Sequence, residues 1–597
     1  MTIAATVPAP RLDHAREALH ATFGFNAFRG AQEQVVARVL AGRSTLAVMP
    51  TGAGKSLTYQ LPAVMLPGTC IVISPLIALM HDQLRAATAN GISAATLTSA
   101  DTDRAATIER FRAGALDLLY VAPERASQPH FRALLGEAPL ALFAIDEAHC
   151  VSEWGHDFRP DYRLLRPLLD CFAEAPRLAL TATADAHTRA DILAQLGIPE
   201  DGLIVAGFDR PNIRYAIRPR DNAPRQLRAL LAEQPGPGIV YAPTRAKVKQ
   251  LAETLGSAKR PALPYHAGLD PAVRAANQAA FVASEEMVMV ATVAFGMGID
   301  KPDVRFVAHA GLPKSIEAYY QETGRAGRDG DPALALMLWG AEDFARARQR
   351  LGEVEEARRG GERTRLEALA TLVETGGCRR ALLLRHFGED PPATCGNCDN
   401  CREAPGLVDA SETARKLLSA AYRTGQSFGF GHLEKVLTGV ADERVLQRGH
   451  DRLSVFGIVG SEEARLLRPL ARALQARGSL QPTEHGGLAL GPDARAILRG
   501  EAGVTIALAP KRASGRQRYR GAANPVCDPL FDALRALRRT LAEEMGLPPY
   551  VIFHDSTLRE MAERRPSTRA ALGEIAGVGA RKLEAYGEAF LSAIARN

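Results

Sequence analysis

The sequence predicts an α/β fold: two consecutive lobes, each a parallel sheet wrapped by crossover helices, followed by smaller helical units. Three observations carry this expectation. From about Ala21 to Gly340, short apolar runs alternate with longer amphipathic stretches, the pattern of strands buried on both faces and joined by helices. After Ala341 the character changes to Arg- and Glu-rich helix, then to a cysteine cluster bounded by Pro391–Pro392 and Pro405. Helical and short strand-like pieces then run to about Leu508, followed by a basic, glycine-containing stretch and a compact helical end.

Taken in order, the strand candidates are Thr45–Met49, Cys70–Ser74, Leu116–Val121, Leu140–Ile145, Leu178–Thr181, Gly238–Tyr241, Met287–Ala291 and Val304–His309. They suffice for two lobes, with a joint near Phe208–Asn212. The expected units are residues 1–210 and 211–340 for the lobes and 341–406 for a cysteine-bearing subdomain. A mixed domain at 407–510, a basic linker at 511–523 and a helical domain at 524–597 complete the chain.

A chain of 597 residues exceeds one hydrophobic core. Its 46% apolar and 23% charged residues are ordinary for a soluble globular protein. No run of about eighteen apolar residues predicts a membrane span. Met1–Pro10 lacks the basic start of a secretory signal, so a short disordered leader and a cytoplasmic location are expected. The net charge of +6 says little about partners, but its distribution says more. Lys511, Arg512, Arg516, Arg518, Arg520, Arg535, Arg538 and Arg539 lie close together, opposed by Asp528 and Asp532. Such a stretch suits a phosphate backbone, and equally a solvated linker and helix face.

The chemistry is carried by three separated elements. Val48-Met-Pro-Thr-Gly-Ala-Gly-Lys-Ser56 follows an apolar strand and precedes a helical stretch, the setting of a phosphate-binding loop. Thr51, Gly52 and Gly54 let backbone N–H groups curl around phosphate oxygens. Lys55 brings charge to the outer phosphates, and Ser56 offers a hydroxyl to Mg²⁺. Met49 stands where the strict pattern has glycine, and alone the segment also describes a glycine-rich turn before a helix. The second element is Asp146-Glu-Ala-His149 at the end of a buried-strand pattern. Asp146 would hold the Mg²⁺ shell, and Glu147 would polarise the attacking water. The third is Gln321-Glu-Thr-Gly-Arg-Ala-Gly-Arg328. Arg325 and Arg328, three apart, would reach across a cleft to a γ-phosphate and stabilise transition-state charge.

The eight cysteines divide into two groups: Cys70, Cys150, Cys171 and Cys527 are scattered, and Cys378, Cys395, Cys398 and Cys401 are clustered. Four thiolates at this spacing favour tetrahedral Zn²⁺, while a triplet with two-residue gaps also occurs in iron–sulfur ligation.

Pro50–Ser56, Asp146–His149, Thr181-Ala-Thr183 and Gln321–Arg328 resemble the motifs of superfamily-two helicases. The narrower resemblance is to the RecQ family, over nearly the whole chain from about Leu19. It is carried by Phe23-Gly-Phe25 with Phe28-Arg29 and Gln32, by Ser152-Glu-Trp-Gly-His-Asp-Phe-Arg-Pro160, by Ala291–Asp300 and by Cys395-Gly-Asn-Cys-Asp-Asn-Cys401. It implies two RecA-like lobes, a zinc-binding subdomain with a structural ion, a winged-helix domain and a helical HRDC domain.

The same resemblance implies site residues. Gln32 would bond the adenine edge, with Phe25 and Arg29 holding the base. The family's Arg-Pro-Gly-Gln is Arg29-Gly-Ala-Gln32 here, which alters the turn and keeps the glutamine. Ser152–Arg159 resembles the family's aromatic-rich loop. Trp154 and Phe158 offer faces on which bases stack, and His156 and Arg159 add polar and cationic contacts. Ser74-Pro-Leu76, Tyr120–Arg125, Tyr241 with Thr244-Arg245, and Tyr265–Gly268 resemble the loops that grip the DNA backbone. Gly311 stands where some bacterial relatives carry an acidic residue that holds a flipped guanine, which argues against guanine capture and efficient quadruplex unwinding.

Gly429–Leu437 and Arg448–Asp451 resemble the winged helix, with His485-Gly-Gly487 as a candidate wing tip. Pro548–Phe553 and Ile575–Lys582 resemble the HRDC domain. There Tyr550 is either a base-stacking residue or a buried tyrosine. The glycine turn before Lys582 is either a phosphate contact or a close helix–helix turn.

The expected function is therefore an ATP- and Mg²⁺-dependent DNA helicase carrying Zn²⁺. The resemblance implies 3′-to-5′ movement on single-stranded DNA, unwinding of forked or partial duplexes, and a role in repair and recombination. A monomer contacting single- and double-stranded DNA and a single-stranded-DNA-binding protein is expected, with no membrane partner. Two rivals are an RNA helicase and a nucleic-acid scaffold that does not hydrolyse ATP. The aromatic loop, cysteine cluster and C-terminal domain oppose the first, and intact Lys55, Glu147, Arg325 and Arg328 oppose the second.

Overall fold

The computed structural model describes residues 12–99, 101, 103–152, 158–295, 301–483, 487–508 and 528–597. Seven strands form the first sheet: β1 (Thr45–Val48), β2 (Thr69–Ile73), β3 (Ala94–Leu97), β4 (Leu118–Val121), β5 (Leu140–Ile145), β6 (Arg177–Thr181) and β7 (Leu203–Val205). Their order is β3-β4-β2-β5-β6-β1-β7, and every pairing is parallel. The near-continuous apolar runs follow from helices covering both faces. Leu46, Val48, Ile71, Phe143 and Ile145 pack on one side. Ala47, Cys70, Val72, Leu142 and Leu180 pack on the other with the helices Leu12–Phe23 and Gln32–Leu40.

The second sheet contains β8 (Ile213–Pro219), β9 (Gly238–Tyr241), β10 (Ala262–Tyr265), β11 (Val288–Ala291), β12 (Phe306–His309) and β13 (Ala333–Trp339). It is also wholly parallel, ordered β10-β11-β9-β12-β13-β8. The chain crosses between sheets over residues 206–212. Each apolar run named from the sequence contributes a strand. β3, β7, β8, β10 and β13 are additional to the runs named. Of these, β8 alternates arginines with apolar residues, and β10 is only half-buried.

The helix Glu356–Glu374 leads to Cys378 and the short helices Arg379–His386 and Asp399–Arg402. Next come helices Ser411–Arg423, Phe430–Thr438 and Ser461–Arg477 with the antiparallel hairpin Leu480–Pro482/Leu488–Leu490. This is winged-helix architecture, and it brackets the proposed wing tip, whose His485 and Gly486 lie outside the described residues. The basic linker at 511–523 also lies outside them. The last domain packs helices Pro529–Met545, Asp555–Arg564 and Ala580–Arg596 around Leu534, Phe553, Leu558 and Phe590. Among the described residues, no helix is long and apolar enough to cross a membrane.

Candidate nucleotide site, metal centre and accessory-domain contacts

The phosphate loop leaves the carboxyl end of β1, and Asp146 leaves the same end of β5, the edge where α/β sheets place ligands. Gly52 and Gly54 have φ of 85° and 72°, left-handed backbone that suits glycine. A Cβ on Gly54 would also lie 2.5 Å from Gln32 Nε2 and displace that amide. Lys55 Nζ donates to Met49 O at 3.2 Å, which holds the ammonium over the loop. Ser56 immediately precedes the helix Leu57–Met65, and its side chain makes no capping bond to it.

Gln32 begins its helix and is buried. Its Nε2 donates to Ala53 O at 2.8 Å, and its Oε1 accepts from Arg29 N at 2.9 Å. The amide therefore ties the Phe25–Arg29 turn to the phosphate loop. The Arg29 guanidinium lies 5.7 Å from the Phe25 ring centroid, a cation–π distance. The altered Gly30-Ala31 turn keeps this geometry, with Gly30 at φ 54°.

Glu147 has φ 49° and ψ 44°, a costly conformation for a non-glycine residue and one that clusters at functional sites. The Asp146 Oδ1 accepts from Glu147 N at 3.0 Å, and Asp146 O accepts from Tyr162 at 2.8 Å. A Glu147 carboxylate oxygen lies 3.3 Å from His149 Nδ1. That nitrogen is also 3.0 Å from Thr181 Oγ1, which bonds Thr183 O at 3.2 Å. Burial, reinforced by the charges of Lys55 and Arg159, pushes the His149 imidazole down to about 3. It is neutral at physiological pH and stands between Glu147 and the Thr181–Thr183 loop, its Nδ1 bonded to Thr181 Oγ1. Sequence reading named these segments but missed His149 as their connector.

Arg325 is buried, and its Nε donates to Tyr241 OH at 2.9 Å. The Tyr241 ring stacks on His309, centroids 5.2 Å apart, and His309 Nε2 lies 2.6 Å from Glu322. The loop carrying Arg325 and Arg328 abuts the phosphate loop. A Cβ on Gly52 would meet Arg328 Cγ at 3.3 Å, and one on Gly324 would meet Thr51 Cβ at 3.1 Å. The arginine-bearing loop of the second lobe therefore lies directly against the phosphate loop of the first.

Of the aromatic loop, Trp154 and His156 lie outside the described residues. Phe158 is half-buried with Arg163 5.3 Å from its centroid. Arg159 Nη1 donates to Pro75 O at 3.1 Å, joining the end of this loop to the Ser74–Leu76 segment.

Cys378, Cys395, Cys398 and Cys401 hold their sulfurs within 4.8 Å of one another. Two pairs, Cys398–Cys378 and Cys395–Cys401, stand at 3.9 and 4.0 Å. Thiolates about 2.3 Å from one tetrahedral Zn²⁺ sit at nearly this separation. An iron–sulfur cluster distributes its thiolates over several irons and spreads them further. The residues therefore fit a single ion. Asp399 accepts from Ile217 N at 2.8 Å, and Arg380 donates to Ile213 O at 2.8 Å. Phe387 stacks on Phe208 at 4.8 Å, so the subdomain is fastened to β8 and to the interlobe crossing.

The C-terminal domain lies against both lobes. Arg535, Arg538 and Arg539, part of the basic stretch that suited either a phosphate backbone or a solvated helix face, converge on Glu285 of the second lobe. Burial works against that carboxylate, but the three guanidiniums hold it below the ordinary range. Arg559 pairs with Asp331. On the first lobe, Gly577 N donates to Gly24 O at 2.8 Å, and a Cβ on Gly24 would lie 2.5 Å from Gly579 N. The glycine turn before Lys582 is thus a packing turn in this arrangement. The Lys582 ammonium lies 6.0 Å from the Phe553 centroid, and burial pulls it down to about 8. Tyr550 is half-buried and stacks near His554, 6.5 Å between centroids.

Family models match the chain in five segments: DEAD/DEAH box helicase at 29–192, helicase conserved C-terminal domain at 222–330, RecQ zinc-binding at 341–402, RQC domain at 404–514 and HRDC domain at 528–594. The chain is 41% identical to the ATP-dependent DNA helicase RecQ of Pasteurella multocida, covering 98% of this chain and 94% of that one. It is 41% identical to the Haemophilus influenzae protein of the same name, over 96% and 95%. The corresponding Bacillus subtilis protein is 36% identical over 98% of each.

Proposed function

The chain belongs to the RecQ family of ATP-dependent DNA helicases, and on that premise we propose that it moves 3′ to 5′ along one DNA strand and separates forked or partial duplexes in repair and recombination. The observation that carries the reading is the contact of the Arg325–Arg328 loop with the phosphate loop across the interlobe cleft. A nucleotide there meets groups from both lobes, so its hydrolysis changes how the lobes sit together.

Each site residue has a role in this reading. Thr51, Gly52, Gly54 and Lys55 cradle the phosphates, while Gln32, Phe25 and Arg29 recognise adenine. Ser56 and Asp146 hold Mg²⁺, which when bound offsets charge on the phosphate oxygens. Glu147 orients the attacking water, and Arg325 and Arg328 steady the charge that develops on the transferred phosphoryl group. Trp154, His156, Phe158 and Arg159 meet the bases and backbone of the tracked strand. Arg159, through Pro75 O and its charge near His149, carries DNA occupancy toward Glu147. Tyr550 is a secondary DNA contact of the HRDC domain, and Cys378, Cys395, Cys398 and Cys401 hold structural Zn²⁺. The protein works as a cytoplasmic monomer alongside a single-stranded-DNA-binding protein.

Partial duplexes with a single 3′ or 5′ tail test the reading. With ATP and Mg²⁺, the 3′-tailed DNA is expected to separate and the 5′-tailed DNA to persist, with matched RNA duplexes intact. Preferential opening of RNA, or of 5′-tailed DNA, would overturn it.

A further inference from the structure

We propose that Arg210, in the crossing between the two lobes, is the positioning residue that sets the arginine loop against the phosphate loop. Nη1 donates to Thr51 O in the phosphate loop and to Gly324 O at 3.2 Å. Nη2 donates to Ala326 O at 2.9 Å and Gly327 O at 2.8 Å. Nε lies 3.4 Å from Asn212 Oδ1. These contacts account for all five donors of the guanidinium. Four go to backbone carbonyls, one in the first lobe and three flanking Arg325 and Arg328 in the second.

A half-buried cation held by carbonyls rather than a carboxylate is a costly device. Burial depresses the guanidinium's proton affinity, and nearby Arg328 adds to the effect. A purely structural clamp would be cheaper if built from apolar side chains. What the guanidinium adds is a planar fork whose carbonyl partners are spaced across both loops. Asn212 completes the grip, donating to Gly327 O at 2.8 Å and Asp331 O at 2.9 Å. The space is filled: a Cβ on Gly52 would stand 3.2 Å from Arg210 Nη1. A shift of the phosphate loop is therefore transmitted to the backbone that carries Arg325 and Arg328.

This inference rests on the reading of the chain as an ATP-driven motor. It predicts an effect on the chemical step rather than on nucleotide capture, because Arg210 holds backbone and touches no named adenine contact. Its test is ATP hydrolysis in the full-length protein with saturating single-stranded DNA, expressed as rate per bound nucleotide, with KM measured alongside. Arg210→Ala is expected to lower kcat about 100-fold, the scale of an ångström-size misplacement of reacting groups, with KM changed by no more than about threefold. Arg210→Lys keeps the charge but cannot span four carbonyls, so it is expected to remain at least about tenfold below wild type. Zinc content and melting temperature identify a variant that fails to fold, and Arg210→Lys then decides alone. The inference is overturned if lysine restores wild-type kcat, if kcat is unchanged in the folded variants, or if only KM rises. Wild-type protein with no DNA-stimulated hydrolysis would instead defeat the motor reading, and is seen separately.

Discussion

Arg325 Nε donates to the Tyr241 hydroxyl at 2.9 Å, and both side chains are buried. The hydroxyl in turn donates to Phe295 O at 3.2 Å, so its lone pairs are turned toward the guanidinium. The arginine proposed to meet the nucleotide is thus oriented by the carboxyl end of β9. Tyr241→Phe removes this acceptor and little volume. A hydrogen bond to a charged group contributes about 1.5–3 kcal/mol, so kcat for DNA-stimulated ATP hydrolysis is expected to fall at least about tenfold. Steady-state kinetics should show KM for ATP nearly unchanged.

The cysteine cluster predicts about one zinc per chain, to be measured by metal analysis of protein purified without added metal. Cys398→Ser removes a buried ligand and is expected to lose the ion and lower the melting temperature. Damage should extend to the packing of Phe387 on Phe208. A brown protein absorbing in the visible would contradict the single-ion assignment.

His149 gives a pH dependence with a definite sign. Its folded pKa, about 3 through burial and the charges of Lys55 and Arg159, lies below the ordinary value of about 6.5. Between those values the unfolded chain takes up a proton that the folded site refuses. The stabilising contribution is whole above about pH 6.5 and is lost progressively as pH falls toward the folded pKa. Denaturant unfolding at several pH values checks this, and His149→Gln should flatten that part of the profile.

The HRDC dock depends on one carboxylate meeting three arginines. Glu285→Arg places a fourth cation among Arg535, Arg538 and Arg539 and is expected to release the domain. Small-angle scattering should record a larger radius of gyration. Gly24→Ala, which drives a Cβ into the backbone of Val578 and Gly579, should do the same from the other lobe. Wild-type dimensions in both variants would contradict the dock.

Much of this was legible in the sequence, for identifiable reasons. Strands such as Leu140–Ile145 are buried on both faces, so their apolar runs are unbroken. Phosphate loops need glycine at positive φ, which leaves Gly52 and Gly54 visible beside Lys55. Thiolates for one ion need close spacing along at least part of the chain. What stayed hidden depends on distant partners. Arg210 looks like any linker arginine until the carbonyls of Thr51 and Gly324 are placed around it. Arg538 reads as one more arginine of a basic stretch until Glu285, far away in sequence, meets it. His149 sits inside a motif that was read, but its link to Glu147 and Thr181 exists only when β5 and β6 lie side by side.

ATP hydrolysis with and without single-stranded DNA, in wild type and Lys55→Ala, tests the motor reading most directly. DNA is expected to stimulate wild-type turnover strongly, and the stimulation to be abolished in the variant while zinc content and melting temperature are retained. Equal low turnover in both proteins, with or without DNA, would contradict it.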